Sequence, residues 1–467
     1  MVRREGRGFV LVLLILVSMG FVLRGFAVSN FNFKVMDETG DMNAARNLLE
    51  RGDMVFCSYN MEWEKSCNLR IKSHGYVFLL AMLLSVFGFS AVNVFWMNVF
   101  LGSLTVFLVG VLGTQLFDRR AGMFSALLAA VYSPHVVWSG TGEKTVSALF
   151  FAFVFLVCAV FLWREFDDGL MLFGLASYMF TGMIRPEFFL FFSPVMFLIL
   201  KDSLEESKLF SELRLRFSAY VISVYLVLLA VCEVIFKLFK EGELSKTNIE
   251  FYSMRTFFSN VSFFLNMSLG KVFLGLILVC IIYFALRSTF ERRSIIYYSG
   301  MAYLLSFLFF KYLNYRFIMF PMLIAFIFIS GLLTDVFDDG CLWKFLTVFF
   351  AVWIVFVMVE DIREFNEGNV IRTQEYMDDL REEYGNCTVI TKWIPYFEFY
   401  DEFTVVSKGS IEGRDNNLVK AVRENCTLIF GKKPSKLPGN VVYNVLESHK
   451  YSVYDYNLYN LSIKGTD

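Results

Sequence analysis

The feature that most constrains this chain is a succession of long, uninterrupted apolar runs separated by short polar turns. A helix needs about 20 apolar residues to cross the hydrocarbon core of a bilayer. Inside lipid only helices and closed barrels satisfy their own backbone groups. Barrel strands alternate apolar and polar residues, whereas these runs are continuous, so they read as helices. Spans are expected near Phe9–Val28, Val92–Phe117, Ala121–Trp138, Val146–Trp163, Leu170–Ile184, Phe188–Leu200, Phe217–Phe236, Val272–Leu286, Ile295–Phe310, Phe317–Leu333 and Phe345–Val359. The fold class is therefore an all-α polytopic membrane bundle of about eleven transmembrane helices. Composition agrees: 57% of residues are hydrophobic and only 19% charged, against roughly 25% charged in soluble domains. A net charge of −1 supplies no basic field for nucleic acid. Three His and eight scattered Cys without a close pair argue against a zinc module.

Basic residues set the direction of insertion. Arg3, Arg4 and Arg7 precede the first run, which reads as a retained helix and not as a signal peptide. With the N-terminus inside, the short inner loops carry Arg119 and Arg120, then Arg164, then Lys201, Lys208, Arg214 and Arg216, then Arg287, Arg292 and Arg293. The expected localisation is a multi-pass cell-membrane protein with a cytoplasmic N-terminus and an extracytoplasmic C-terminal domain. Cys57, Cys67, Cys387 and Cys426 then fall outside, where disulfides persist, and the expected pairs are Cys57 with Cys67 and Cys387 with Cys426. The Asn-x-Ser/Thr sequons at Asn260, Asn266, Asn386, Asn425 and Asn460 also fall outside. The stretch Tyr76–Phe89 is too short to span and suits an interfacial helix. The run from Gly169 to Leu200 would be about 48 Å long as one helix, so it reads as a hairpin turning at Arg185-Pro186-Glu187.

Two domains are expected. Residues 1–359 form the transmembrane part, with a long, polar first outer loop over 29–75 whose length suggests function. Residues 360–467 form a small extracytoplasmic α/β domain. In it Cys387–Thr391, Phe403–Ser407 and Cys426–Phe430 are strand-like, and 364–384 and 417–424 are helix-compatible, which together suggest a mainly parallel sheet.

The segment with chemical content is MDETGDMNAARNLLERGD, Met36–Asp53. Asp37-Glu38 is an adjacent acidic pair, and a helix starting there places Asp37 and Asp41 on one face near its positive end. A carboxylate at the membrane surface can serve as a general base once partly desolvated; helix capping by Asp41 is the plainer role of its neighbour.

In motif order the chain resembles the GT-C superfamily of integral-membrane glycosyltransferases, in the branch of protein O-mannosyltransferases and lipid A aminoarabinose transferases. The resemblance rests on Asp37-Glu38 followed by Ala45-Arg46-Asn47-Leu48. It continues through His74-Gly75-Tyr76 leading into VFLLAMLLSVFGFSA, without the family's prolines. Further matches are QLFDRRAGMFSALLAAVYSP, Gly142-Glu143-Lys144, Arg185-Pro186 and Tyr315-Arg316-Phe317 followed by MFPMLIAF. It covers about residues 9–335 and implies an inverting transfer of a sugar from a polyprenyl-phosphate-linked donor to an acceptor at the outer face. The resemblance implies Asp37 as general base, with Glu38 beside it. It implies His74, Lys144, Arg185 and Arg316 as cations for the donor phosphate, and Glu143 as a second acidic residue toward the acceptor. Expected partners are the polyprenyl-phosphate sugar, a lipid, glycan or protein acceptor, and membrane lipids, with no nucleic acid. No ligand cluster beyond the acidic pair identifies a metal site, and the need for a divalent cation stays open. The competing class is a polytopic transporter or lipid flippase with an outer binding domain. Transporters place ionisable groups near the bilayer centre, whereas these spans read as almost free of charge, Glu233 excepted.

Overall fold

The computed structural model describes residues 2–28, 36–52, 54–59, 65–70, 73–206, 292–308, 315–336, 388–391, 404–407, 427–431, 441–451 and 454–463. The expected spans at 217–236, 272–286 and 345–359, and the helices expected at 364–384 and 417–424, lie outside these residues, as do Cys387 and Cys426. The chain divides into two compact units. One comprises Met1–Ala27, Val99–Ser139 and Lys144–Asp361, and the other Val28–Asn98, Gly140–Glu143 and Ile362–Asp467.

The first unit is built on helices. They are α1 (Val2–Val28), the later part of α4 (Ala91–Leu116), α5 (Arg119–Val131), α6 (Ser133–Ser139), α7 (Lys144–Leu162), α8 (Asp168–Ile184), α9 (Glu187–Glu206), α10 (Arg292–Leu308) and α11 (Tyr315–Val336). Among the described residues, Gly8–Val28, Ala91–Leu116, Lys144–Leu162 and Arg316–Asp335 are long and apolar enough to cross a membrane. Acidic caps begin two of the helices. Asp118 accepts from the Ala121 N–H at 2.7 Å to open α5, and Asp167 accepts from Leu170 at 2.6 Å to open α8. The residue before a proline is disfavoured in helical geometry. Arg185, before Pro186, accordingly sits at φ −138°, ψ 100°, and α8 stops there. The hairpin expected at this turn is the α8–α9 break.

The run expected as one span over Ala121–Trp138 is instead two helices, α5 and α6, bent by 57°. Pro134 has no N–H to return to Ala130, and Tyr132 leaves helical geometry at φ −69°, ψ 105°. Packing of α4 on α5 depends on small residues, as in membrane helix pairs. A Cβ on Gly122 would lie 1.9 Å from Thr114 Oγ1 and 2.6 Å from the Gly110 carbonyl oxygen, so no side chain fits there.

The second unit holds α2 (Met36–Arg51), α3 (His74–Phe87), the start of α4 and a seven-stranded sheet. Its strands are β1 (Val55–Tyr59), β2 (Lys65–Arg70), β3 (Thr388–Thr391), β4 (Thr404–Ser407), β5 (Thr427–Gly431), β6 (Val441–Tyr451) and β7 (Tyr454–Ile463), in the order β2-β1-β4-β3-β5-β7-β6. Strands β4, β3 and β5 are parallel, in register Thr388↔Thr404 and Thr388↔Thr427, at the three positions expected from sequence. The sheet is mixed, not mainly parallel. The β6–β7 ribbon adds to β5 in antiparallel sense, and the hairpin β1–β2 from the first loop adds through Tyr59↔Val406. The β1–β2 register shifts between Phe56 and Ser58, the bulge that contains Cys57.

Candidate functional site

In the first unit the N-terminal ends of α7, α9 and α11 and the C-terminal end of α8 gather polar side chains. Arg185, at the α8–α9 turn, is 6% exposed. Its Nε donates to Glu187 Oε1 at 2.6 Å and its Nη1 donates to Thr145 Oγ1. These two bonds orient the planar fork, because a guanidinium can satisfy several acceptors only in one geometry. The Arg185 guanidinium lies over the Phe317 ring, 4.8 Å from its centroid, and Arg316 lies over the same ring at 5.1 Å. Two of the four cations expected to hold a donor phosphate thus share one aromatic ring. Tyr303 of α10, fully buried, hydrogen-bonds Glu187. Beneath lies an aromatic floor: Phe320 packs against Phe188, Phe192 and Tyr303 with centroids 5.2–5.4 Å apart. Lys144, the first residue of α7, is half-buried and precedes Thr145 in sequence. Thr145, Tyr303 and Phe317 had no assigned role in the sequence. Thr145 and Tyr303 are neutral residues at the edge of or within apolar runs, and no local signal marks them. Phe317 is adjacent to Arg316, but one more Phe among 56 carries no signal.

In the second unit Asp37 and Glu38 belong to the first turn of α2. Asp41 is not an exposed cap. It is 5% exposed and accepts from Ser73 Oγ at 2.8 Å, tying α2 to the start of α3. His74 is the first residue of α3 and is exposed. Glu143 is 1% exposed and lies in the segment Gly140–Glu143. That segment is held by Tyr76, whose hydroxyl donates to the Gly142 carbonyl at 2.6 Å, and by Asn98, whose Nδ2 donates to the Thr141 carbonyl at 2.7 Å and the Glu143 carbonyl at 3.1 Å. Asn98 is a buried amide inside the apolar run of α4, and its partners are 43 and 45 residues away.

One charge lies inside the first span, against the expectation of nearly charge-free spans. Arg24 of α1 is fully buried. Its Nη1 donates to Ala130 O and its Nη2 to Ala129 O, both at 3.2 Å, and Nη2 meets His135 Nδ1 at 2.7 Å. A guanidinium only donates, so His135 Nδ1 accepts and its proton sits on Nε2.

No protein-family model matches the chain, and no curated protein matches it in sequence. Solved structures do match. The Archaeoglobus fulgidus oligosaccharyltransferase in complex with Zn and sulfate aligns with a TM-score of 0.59 at 11% identity, over 90% of this chain and 68% of that one. AglB of the same organism, in complex with an inhibitory peptide and a dolichol-phosphate, aligns with a TM-score of 0.59 at 11% identity, over 91% and 70%. ArnT from Cupriavidus metallidurans bound to undecaprenyl phosphate aligns with a TM-score of 0.55 at 12% identity, over 97% and 98%. At such identities the likeness is one of fold: the chain shares its fold with these solved structures. The zinc belongs to the archaeal complex. Among the described residues of this chain, no group of three His, Cys, Asp or Glu side chains comes together to hold a metal.

Proposed function

We propose that the chain is an inverting membrane glycosyltransferase that moves a sugar from a polyprenyl-phosphate donor to an acceptor hydroxyl at the outer membrane surface. The observation that carries this reading is the pair of arginines on Phe317. A lipid phosphate leaving group needs fixed cations near the end of a helical bundle, and preorganised guanidinium groups stabilise the charge that develops there. Arg185 and Arg316 take the donor phosphate, with Lys144 and His74 as further cations. The solved relatives that bind dolichol-phosphate and undecaprenyl phosphate support a polyprenyl donor.

The step balances without other reactants. Asp37 takes the acceptor O–H proton, and the acceptor oxygen forms its bond to the anomeric carbon from the face opposite the phosphate. The bond from that carbon to the phosphate oxygen breaks, and the polyprenyl phosphate leaves with the electron pair. Glu38 and Glu143 orient the acceptor and the cations. No part of the step is assigned to a metal ion. The test is incubation of the purified protein with a panel of radiolabelled polyprenyl-phosphate sugars, wild type beside Asp37→Asn. Transfer should fall by roughly 10²–10⁴-fold in the variant, the range for loss of a general base. Equal consumption by both proteins would remove Asp37 from the mechanism, and no consumption of any donor by the wild type would end the glycosyltransferase reading.

A further inference from the structure

The segment Gly140-Thr141-Gly142-Glu143 has two glycines in four residues. Glycine leaves a backbone with many accessible conformations, so the segment needs partners to hold it in one shape. Most of them come from elsewhere in the second unit. Its three successive carbonyls at Thr141, Gly142 and Glu143 accept, in turn, from Asn98, Tyr76 and again Asn98. Both donors are fully buried, and Asn98 Nδ2 also lies 3.5 Å from the Tyr76 hydroxyl. The Thr141 hydroxyl adds a local tie by accepting from the Glu143 N–H at 3.2 Å. An amide NH₂ has two hydrogens and a tyrosine one, which together match three carbonyls.

Burying two polar side chains on two helices is unfavourable unless they are bonded, and the buried carbonyls of the segment need donors in turn. Here the bonds converge on a segment that ends in a carboxylate with 1% exposure. The same helix that supplies Tyr76 begins beside Ser73, whose hydroxyl holds Asp41 of α2. Asp41 is one helical turn beyond Asp37. One chain of hydrogen bonds therefore links the helix bearing the proposed base, through α3, to the segment bearing Glu143, and ends on α4.

We infer that Asn98 and Tyr76 are positioning residues for the transfer reaction: they set the Glu143 segment at a fixed place relative to the turn bearing Asp37, so that an acceptor hydroxyl meets both carboxylates together. This rests on the glycosyltransferase reading above and deepens it. Neither residue touches the reacting atoms. Their effect is geometric, and a displacement of about 1 Å in a reacting group can cost on the order of 100-fold in rate.

The test uses the full-length protein and whichever radiolabelled polyprenyl-phosphate sugar the wild type consumes. Tyr76→Phe removes one hydroxyl and keeps the ring. Asn98→Asp keeps the shape, removes both donors and sets an acceptor against two carbonyls. The expected result is a fall in kcat of about 10-fold for Tyr76→Phe and about 100-fold for Asn98→Asp, with the donor KM within about twofold of wild type. In a Glu143→Gln background the same two substitutions should cause no further loss, because they act through Glu143. Hydrogen exchange at residues 140–143 should quicken in both variants, which reads the clamp directly even where activity is lost. Equal losses in the wild-type and Glu143→Gln backgrounds, or unchanged exchange, would overturn the inference and make both residues merely structural. A wild type that transfers sugar and an inactive Asp37→Asn, beside a Tyr76→Phe and Asn98→Asp at full rate, would overturn the inference alone. A wild type that consumes no donor would overturn the reading and the inference with it.

Discussion

Replacing Arg24 by Met tests what a charge inside the first span is for. Methionine fills much of the same volume, so the change removes hydrogen bonds more than packing. Three acceptors are stranded: the carbonyls of Ala129 and Ala130 and Nδ1 of His135. The Gly20 carbonyl, which also receives Nη1 at 2.9 Å, keeps its bond within α1. A stranded buried acceptor costs about 1–3 kcal/mol, which gives a gross loss of about 3–9 kcal/mol. Against it stands the desolvation of the guanidinium, an effective several kcal/mol that Met does not incur. The net expectation is a destabilisation of about 2–4 kcal/mol.

The local geometry favours the upper half of that range. A Cβ at Gly20 would lie 2.9 Å from Arg24 Nη1, and one at Gly102 would lie 3.1 Å from Arg24 Nε and 2.3 Å from Ser139 Oγ. Among the described residues, these close approaches leave little space beside the arginine for another donor to α5. SDS-driven unfolding in mixed micelles, followed by tryptophan fluorescence, measures the loss. Arg24→Lys should recover about half of it, since one ammonium cannot span the fork. Arg24→Met with His135→Leu should lose less than the sum of the single changes, with a coupling of about 1–2 kcal/mol. If Arg24→Met unfolded at the wild-type SDS concentration or above it, the carbonyls of α5 would have other donors and the assignment would be wrong.

Three further outcomes are expected. Gly122→Ala should destabilise the protein by about 3 kcal/mol or more in the same unfolding assay, because besides the Thr114 hydroxyl the new methyl meets the Gly110 carbonyl oxygen and the Thr114 nitrogen, backbone atoms that cannot rotate away. Arg316→Ala and Arg185→Ala should raise the donor KM in the transfer assay, with Lys at either position restoring only part of the affinity because it lacks the fork; an unchanged donor KM in both would remove them from phosphate binding. A reporter fused to the C-terminus should be active only outside the cytoplasm, as the basic inner loops require, and activity confined to the cytoplasm would reverse the orientation.

What the sequence disclosed was what short-range chemistry controls. The break at Arg185 follows from the proline beside it, and the core strands Thr388–Thr391, Thr404–Ser407 and Thr427–Gly431 from runs of Val, Ile and Thr. What it withheld depends on partners far along the chain. Asp41 reads as a cap because it sits near a helix start, yet its partner Ser73 is 32 residues on. Arg24 sits within the first apolar run and drew no reading of its own, yet its partners lie 105–111 residues away on α5 and α6. Strand β2, KSCNLR, is short and mostly polar, with Cys67 and Leu69 as its only apolar residues, too weak a signal to show that the first-loop hairpin adds to the C-terminal sheet. In the site, Arg185 and Arg316 stand out as charges at the ends of apolar runs. The residues that orient them, Thr145 and Phe317, are of types too common here to be noticed.

The placement of the buried charges also bears on the choice between sugar transfer and transport. A transporter needs ionisable groups in the membrane interior that exchange partners as the substrate moves. Arg24 is an ionisable group within a candidate span, but its bonds to Ala129 and Ala130 end a helix in which Pro134 has no N–H to give to Ala130. Glycines at 20 and 102 pack against it on both sides. A group fixed this way closes a break in the bundle. Arg185 and Arg316 differ in kind. They lie where helices end, one held by Glu187 and Thr145 and both against a single ring. Fixed cations at the end of a bundle suit a phosphate that must be held in one place while the bond beside it breaks, which is the requirement of transfer and not of passage.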